Sequence, residues 1–297
     1  MFTIKEGHGV RRLIFATLVV VFSLIWSSAF IAGKVALKDF DPFTLLAIRF
    51  SLSAIVILPF SLFGKSIFNR AVIERGLALG LLNNAIYLGL SFSALRSVRP
   101  EVVVVVISCA PFVTTLITAL LGHEPLSAKK LAGIAIGFFG VVVILGVAST
   151  QKPDPWGLTM ATAGMVAFAC GTVLFRSRST ELPILQTNFW QSVAGAGALI
   201  PFAVLWGTPV HMVGAPSVAA LLYLVLVVSI GGMTLWLVLI RISGAATASS
   251  YHLLNPFFGV LLAHFVLGRG LHVTDFIGVA LIAGGLFLST AKGRIKS

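Results

Sequence analysis

Ten stretches of this chain are long, apolar and almost free of charge: 13–33, 43–63, 76–95, 102–121, 131–148, 156–175, 183–206, 217–240, 247–267 and 273–289. The fourth reads VVVVVISCAPFVTTLITALL. At about twenty residues and 1.5 Å per helical residue, it can cross a bilayer core of roughly 30 Å. In hydrocarbon each backbone N–H and C=O must be satisfied within the protein, so runs of this length can only be helices. Composition agrees: of 297 residues, 58% are hydrophobic and 10% charged. The fold class is an all-α polytopic membrane protein with ten transmembrane helices.

Helix starts are written into the chain. Asp41-Pro42 and Asp154-Pro155 each set a capping carboxylate before a proline at the first helical position. Pro100, Pro183 and Pro216 mark three more starts. The connections are short, so no soluble domain is inserted. Near the N-terminus, Lys5, Arg11 and Arg12 precede an apolar run ending in small residues, the pattern of a signal peptide. The run continues through Trp26 and Phe30 to about Gly33, so a retained first helix is expected.

The net charge is +12. The basic residues sit in short loops between apolar runs, which makes them a topology signal and not a nucleic-acid surface. With a cytoplasmic N-terminus, fourteen Lys and Arg fall in inner segments and six in outer ones, leaving Arg49 inside a helix. Both termini are therefore expected in the cytoplasm. The two cysteines, Cys109 and Cys170, give neither a disulfide framework nor metal-ligand spacing, and no cofactor or metal is expected.

The chain repeats itself. At an offset of 145, Arg96 matches Arg241, Pro111 matches Pro256, Phe112 matches Phe257, Gly133 matches Gly278 and Gly140 matches Gly285. Earlier the offset shifts slightly: Pro42 pairs with Pro183 and Pro59 with Pro201. Arginine, proline and spaced glycines coincide by chance far less often than leucines. The expected domains are residues 1–150 and 151–297, each of five helices. Five is odd, so the second unit must enter the membrane inverted, an arrangement used by alternating-access transporters with a site near the midplane.

Pro111 and Pro256 each lack the N–H that would close a helical turn, so kinks in the fourth and ninth helices are expected to meet near mid-bilayer. Gly76-x-x-x-Gly80 and Gly133-x-x-x-Gly137 allow close helix packing, inside one monomer or in a dimer, the monomer being the expected functional unit.

Polar groups inside the apolar runs are expensive and point to function. All nine Asp and Glu lie at helix ends or in loops, which favours export or exchange without a coupling carboxylate. His252 and His264 are the mid-helix groups able to titrate near neutral pH. In the third helix Asn83, Asn84 and Tyr87 fall together, and Asn84, Tyr87 and Ser91 share one face, as a cavity wall or as interhelical contacts. In the ninth helix Tyr251, His252 and Asn255 cluster before Pro256 and are the expected specificity contacts. Trp26, Trp190 and Trp236 lie far from helix ends, so they line a cavity for an aromatic or apolar solute or pack in the core. Arg49 has three readings: a fork for a substrate carboxylate, a side chain snorkelling outward, or a partner for Glu101.

A lipid-modifying enzyme would need clustered nucleophiles, bases or metal ligands, and the sequence has no such spacing. A channel is a further alternative. A nucleotide-sugar carrier would want several mid-membrane cations, where Arg49 stands alone.

The stretch Trp26-Ser27-Ser28-Ala29-Phe30-Ile31-Ala32-Gly33-Lys34 resembles the first-helix signature of EamA-type members of the drug/metabolite transporter superfamily. Ala110-Pro111, the Leu121-Gly122-His123-Glu124 ending and the glycine-rich fifth helix are similar to that family as well. The second half departs from it, with Leu267-Gly268-Arg269 where the family often has Leu-Gly-Glu. The overall likeness is greatest to the YddG-type bacterial amino-acid exporters. It implies a multi-pass carrier of the bacterial inner membrane, exporting small metabolites such as aromatic or other neutral amino acids, with drugs or nucleotide sugars as alternative cargo.

Overall fold

The computed structural model describes residues 5–63, 67–98, 103, 106–123, 125–145, 154–177, 182–208, 212–267 and 273–290. Its helices are α1 (Lys5–Ala36), α2 (Pro42–Leu62), α3 (Arg70–Ala94), α4 (Ala110–Leu120), α5 (Ala128–Leu145), α6 (Pro155–Arg176), α7 (Ile184–Trp206), α8 (Ala215–Ser243), α9 and α10 (Val273–Thr290). Helix α9 comes in three pieces: Ala245–Ser250, a 3₁₀ turn Tyr251–Leu254, and Asn255–Leu267. Among the described residues six of these, α1, α2, α3, α6, α7 and α8, are long and apolar enough to cross a membrane. Two apolar helices are shorter, Ala110–Leu120 and Val273–Ser289.

The starts read from the sequence at Asp41, Asp154, Pro183 and Pro216 hold, and Pro100 lies outside the described residues. The Asp41 carboxylate accepts from Phe43 N at 3.0 Å and Thr44 N at 3.1 Å, and Asp154 accepts from Gly157 N at 2.9 Å. Each satisfies orphan donors of a first helical turn, beside a proline that has none to satisfy. The N-terminal apolar run continues without a break into α1 up to Ala36.

The prolines act differently from a simple kink. Pro111 sits at the start of α4, directly after a turn at Ser108 and Cys109. Its missing N–H therefore falls in a first turn, where no intrahelical partner is required. Pro256 likewise opens the last piece of α9, after the 3₁₀ turn. The carbonyl of His252, four residues before Pro256, is taken by the Asn255 N–H, so it does not stand free beside its own side chain. The two broken helices do meet: Thr114 Oγ1 and Ser249 Oγ lie 3.2 Å apart.

The packing is reciprocal between halves. Helix α5 packs along α10 and α2 along α7, each on its own counterpart in the repeat. Helix α6 packs on α3 and α4, while α1 packs on α8 and the end of α9. The glycine seam shows the reciprocity residue by residue. A Cβ on Gly133 would strike the Gly285 carbonyl, and one on Gly140 would strike the Gly278 carbonyl. At the 145 offset these are the same contact made twice, as across a two-fold axis. Gly76 and Gly80 pack against Trp190, Gln191 and Ala194 of α7, again inside this chain.

Helices α3 and α8 carry wide π-helical turns at Gly80–Tyr87 and Leu224–Gly232. These coincide at the repeat offset. Such turns disturb the regular ladder of carbonyls and recur at functional sites.

Candidate functional site

A cavity of about 30 Å³ lies where α1, α2, α3, α7 and α8 converge. Two wall helices, α3 and α8, contribute their π-helical turns. Its wall holds Trp26, Arg49, Asn84, Tyr87, Asn188, Gln191, Ser192 and Ser229 among apolar neighbours. The space admits about two water molecules. A whole metabolite is larger than that, so its entry requires the helices to part.

Two polar couples face it. Arg49 Nε donates to Ser229 Oγ at 2.7 Å, and Gln191 Nε2 donates to Asn84 Oδ1 at 3.2 Å. The second couple is held by a return bond, Asn84 Nδ2 to the Gln191 carbonyl at 3.0 Å. Asn188 Nδ2 donates to the Ser229 carbonyl at 3.0 Å and fixes the α8 turn. Close approach of α3 and α7 makes this geometry, and it depends on Gly80: a Cβ there would collide with the Gln191 carbonyl. Gly195 of α7 likewise leaves room for the Asn84 side chain.

Arg49 is 4% exposed. Its guanidinium carbon lies 5.3 Å from the centre of the Phe50 ring. Among the described residues it has no carboxylate partner, and Arg70–Glu74, at a helix surface, is an ion pair of the ordinary i,i+4 kind. A buried guanidinium is costly without a counter-charge. Glu101, the pairing partner expected from sequence, lies outside the described residues.

Beside the cavity is an aromatic cluster. Trp236 stacks between Phe22 at 5.2 Å and Phe168 at 5.5 Å, with interplanar angles of 16° and 22°. The His252 ring stands edge-on within 4.7–5.3 Å of Trp236, Phe168, Trp26 and Phe22. His252 Nδ1 and Asn255 Nδ2 are 2.9 Å apart, and the Asn255 carbonyl accepts from Ser27 Oγ at 2.9 Å. Trp26 belongs to both cluster and cavity wall, and Tyr87 joins them through Phe168 at 4.8 Å.

The residues singled out in the sequence thus separate. Trp26, Arg49, Asn84 and Tyr87 reach the cavity. Trp236, His252 and Asn255 form the packed cluster behind it. Tyr251 turns to Phe15, edge to face at 6.0 Å. Asn83 faces Gly171 of α6, and Ser91 faces Gly164 of the same helix. Trp190 does not line the cavity: its Nε1 donates to the Ile67 carbonyl, between α2 and α3, at 2.7 Å. The His264 side chain lies outside the described residues. Sequence reasoning missed Asn188, Gln191, Ser192 and Ser229. One signal was available: Gln191 stands at the offset of 142 from Arg49, the offset that relates Pro59 to Pro201.

The EamA-like transporter family matches residues 13–146 and, a second time, 155–291. The chain belongs to that family. The two matches place the family's unit once in each half of this membrane protein. A probable amino-acid metabolite efflux pump of Escherichia coli K12 is 27% identical over 290 residues, 93% of each chain. The inner membrane transporter YedA of the same organism is 26% identical, across 90% of this chain and 87% of its own. Protein PecM of Dickeya dadantii is 24% identical, across 89% and 88%. One solved crystal structure superposes with a TM-score of 0.79 at 24% identity, covering 95% of this chain and 98% of that one, and it shares the fold. This EamA protein is thus a transporter, with a lipid environment and a small-molecule substrate.

Proposed function

We propose that this EamA protein exports small metabolites, aromatic or other neutral amino acids, across the bacterial inner membrane. It does so as two inverted five-helix units, residues 1–150 and 151–297, that rock about the central cavity. The observation that carries this reading is the cavity itself: a buried cation and an aromatic wall, set where repeat-related helices cross. Reciprocal packing of α5 on α10 and α2 on α7 supports the inverted arrangement, since contacts that exchange under the repeat offset belong to a two-fold axis. The fourteen-to-six bias of Lys and Arg supports cytoplasmic termini. The name of the Escherichia coli efflux pump supports amino-acid cargo.

Arg49 is the one cation among the described lining residues, which favours a monocarboxylate over a nucleotide sugar with its two phosphates. Those lining residues carry no acid, which supports export or exchange without a coupling carboxylate. Purified protein in liposomes tests the function. Counterflow of neutral amino acids is expected, saturable and undiminished when the pH gradient is collapsed. Strict dependence on that gradient would defeat the uncoupled reading, and unitary conductance in a planar bilayer would make the protein a channel.

A further inference from the structure

The two polar couples of the cavity are the same couple made twice. Arg49 and Gln191 correspond at the offset of 142, and Asn84 and Ser229 at the offset of 145. Arg49 donates to Ser229 on the α8 turn, and Gln191 donates to Asn84 on the α3 turn. The repeat axis therefore runs between them, and chemistry breaks its symmetry: one member is a cation, the other a neutral amide.

The hydrogen-bond network decides which end of the amide is free. Asn84 Nδ2 donates to the Gln191 backbone carbonyl, so Asn84 Oδ1 must be the acceptor on the other side. Gln191 therefore presents Nε2 to Asn84, and its Oε1 is left over. That oxygen is buried without a hydrogen-bond partner, as is Ser192 Oγ on the same wall. Gln191 is 0% exposed and Ser192 1%. Opposite, Arg49 spends only Nε on protein, and its two terminal nitrogens make no hydrogen bond among the described residues. A buried acceptor left unpaired is costly and a buried charge more so, and a ligand supplying both complements is therefore strongly favoured.

We infer that the cavity reads the zwitterionic headgroup of an α-amino acid, with Arg49 taking the carboxylate and Gln191 Oε1 taking the ammonium. The guanidinium fork suits a carboxylate in two parallel bonds, and an amide oxygen accepts from an ammonium without adding charge. The cavity of about 30 Å³ has room for about two water molecules, one for each charged group of that headgroup, and Trp26, Phe30 and Phe92 of the same wall offer aromatic surface to the substrate's side chain. This inference rests on the transporter reading and adds how its cargo is recognised.

The test uses the full chain in detergent and in liposomes, with three probes that share one side chain: L-phenylalanine, phenylpyruvate and phenethylamine. The expected result in the parent protein is that phenylalanine binds and undergoes counterflow, while the oxo acid and the amine compete at least tenfold more weakly. Arg49→Gln should weaken phenylalanine to the level of the amine and leave the amine unchanged. Gln191→Leu should erase the discrimination against phenylpyruvate only. Arg49→Lys should restore part of the affinity, and Glu101→Gln should leave all three unchanged. Equal competition by phenylpyruvate in the parent, or a uniform loss of all three probes in both variants, overturns the inference. The parent series alone decides it should a variant fail to fold. Failure to bind any of the three also overturns it, while flux of other solutes would leave the transporter reading standing.

Discussion

Side chains that look alike in the sequence divide into two trades once their neighbours are known. Trp26 and Trp236 are both mid-helix indoles, yet Trp26 faces the cavity and Trp236 is sandwiched between Phe22 and Phe168 at 0% exposure. Trp236→Ala should therefore remove packing and not a ligand contact. A loss of about 3–5 kcal/mol is expected, read from thermal or denaturant unfolding in detergent. Ligand affinity of the fraction that stays folded should be preserved, and a variant of parental stability with lost binding would reverse the assignment. His252 belongs to the same cluster, with one ring nitrogen tied to Asn255 and aromatic rings around the rest. Its place near Pro256 was legible in the sequence. Its four aromatic neighbours, from α1, α6 and α8, were not, because they lie far along the chain from it.

At the scale of elements, helix ends are fastened by polar ties. Asp39, between α1 and α2, accepts from the Gly214 N–H before α8 at 2.9 Å. Ser217 of α8 and the Gly214 N–H together hold its carboxyl below the usual carboxylate range. A carboxyl with a depressed folded-state pKa stabilises the fold above its unfolded pKa and loses that contribution as pH falls through the folded one. The strap should thus be intact at neutral pH. Asp39→Asn should lower the unfolding temperature at pH 7, and the difference from the parent should shrink toward zero in acid below the ordinary carboxylate range. A difference independent of pH would mean that the charge plays no part. Proline placement was also readable at this scale, but its consequence was not: Pro111 and Pro256 start helices after turns, because the backbone turns where it would otherwise lack a donor.

The molecule as a whole is held along two seams between halves, α5 with α10 and α2 with α7. Gly285 lies in the first: a Cβ there would meet backbone atoms of Gly133 and Gly137. Its neighbour Gly284 has nothing within 4 Å. Gly285→Leu should cost about 1–3 kcal/mol or more by forcing the helices apart. Gly284→Leu should stay within about 0.5 kcal/mol. Parallel melting curves of the two variants make the comparison, and equal losses would place the seam elsewhere.

The sequence by itself determined the all-helical membrane class, because runs of apolar residues leave the backbone no other way to satisfy its polar groups. It determined the duplication, since arginines, prolines and glycines recur at near-constant offsets. It also fixed the capped starts at Asp41 and Asp154, whose partners are two or three residues away. Only the tertiary structure decided which polar side chains share a cavity. Arg49 and Ser229 are 180 residues apart, and Asn84 and Gln191 are 107 apart. No local periodicity encodes such distances; helices crossing at glycine contacts do. Hydrogen bonding then decided the rest, for Asn84 fixes which end of Gln191 is spent on protein and which is left unpaired in the wall.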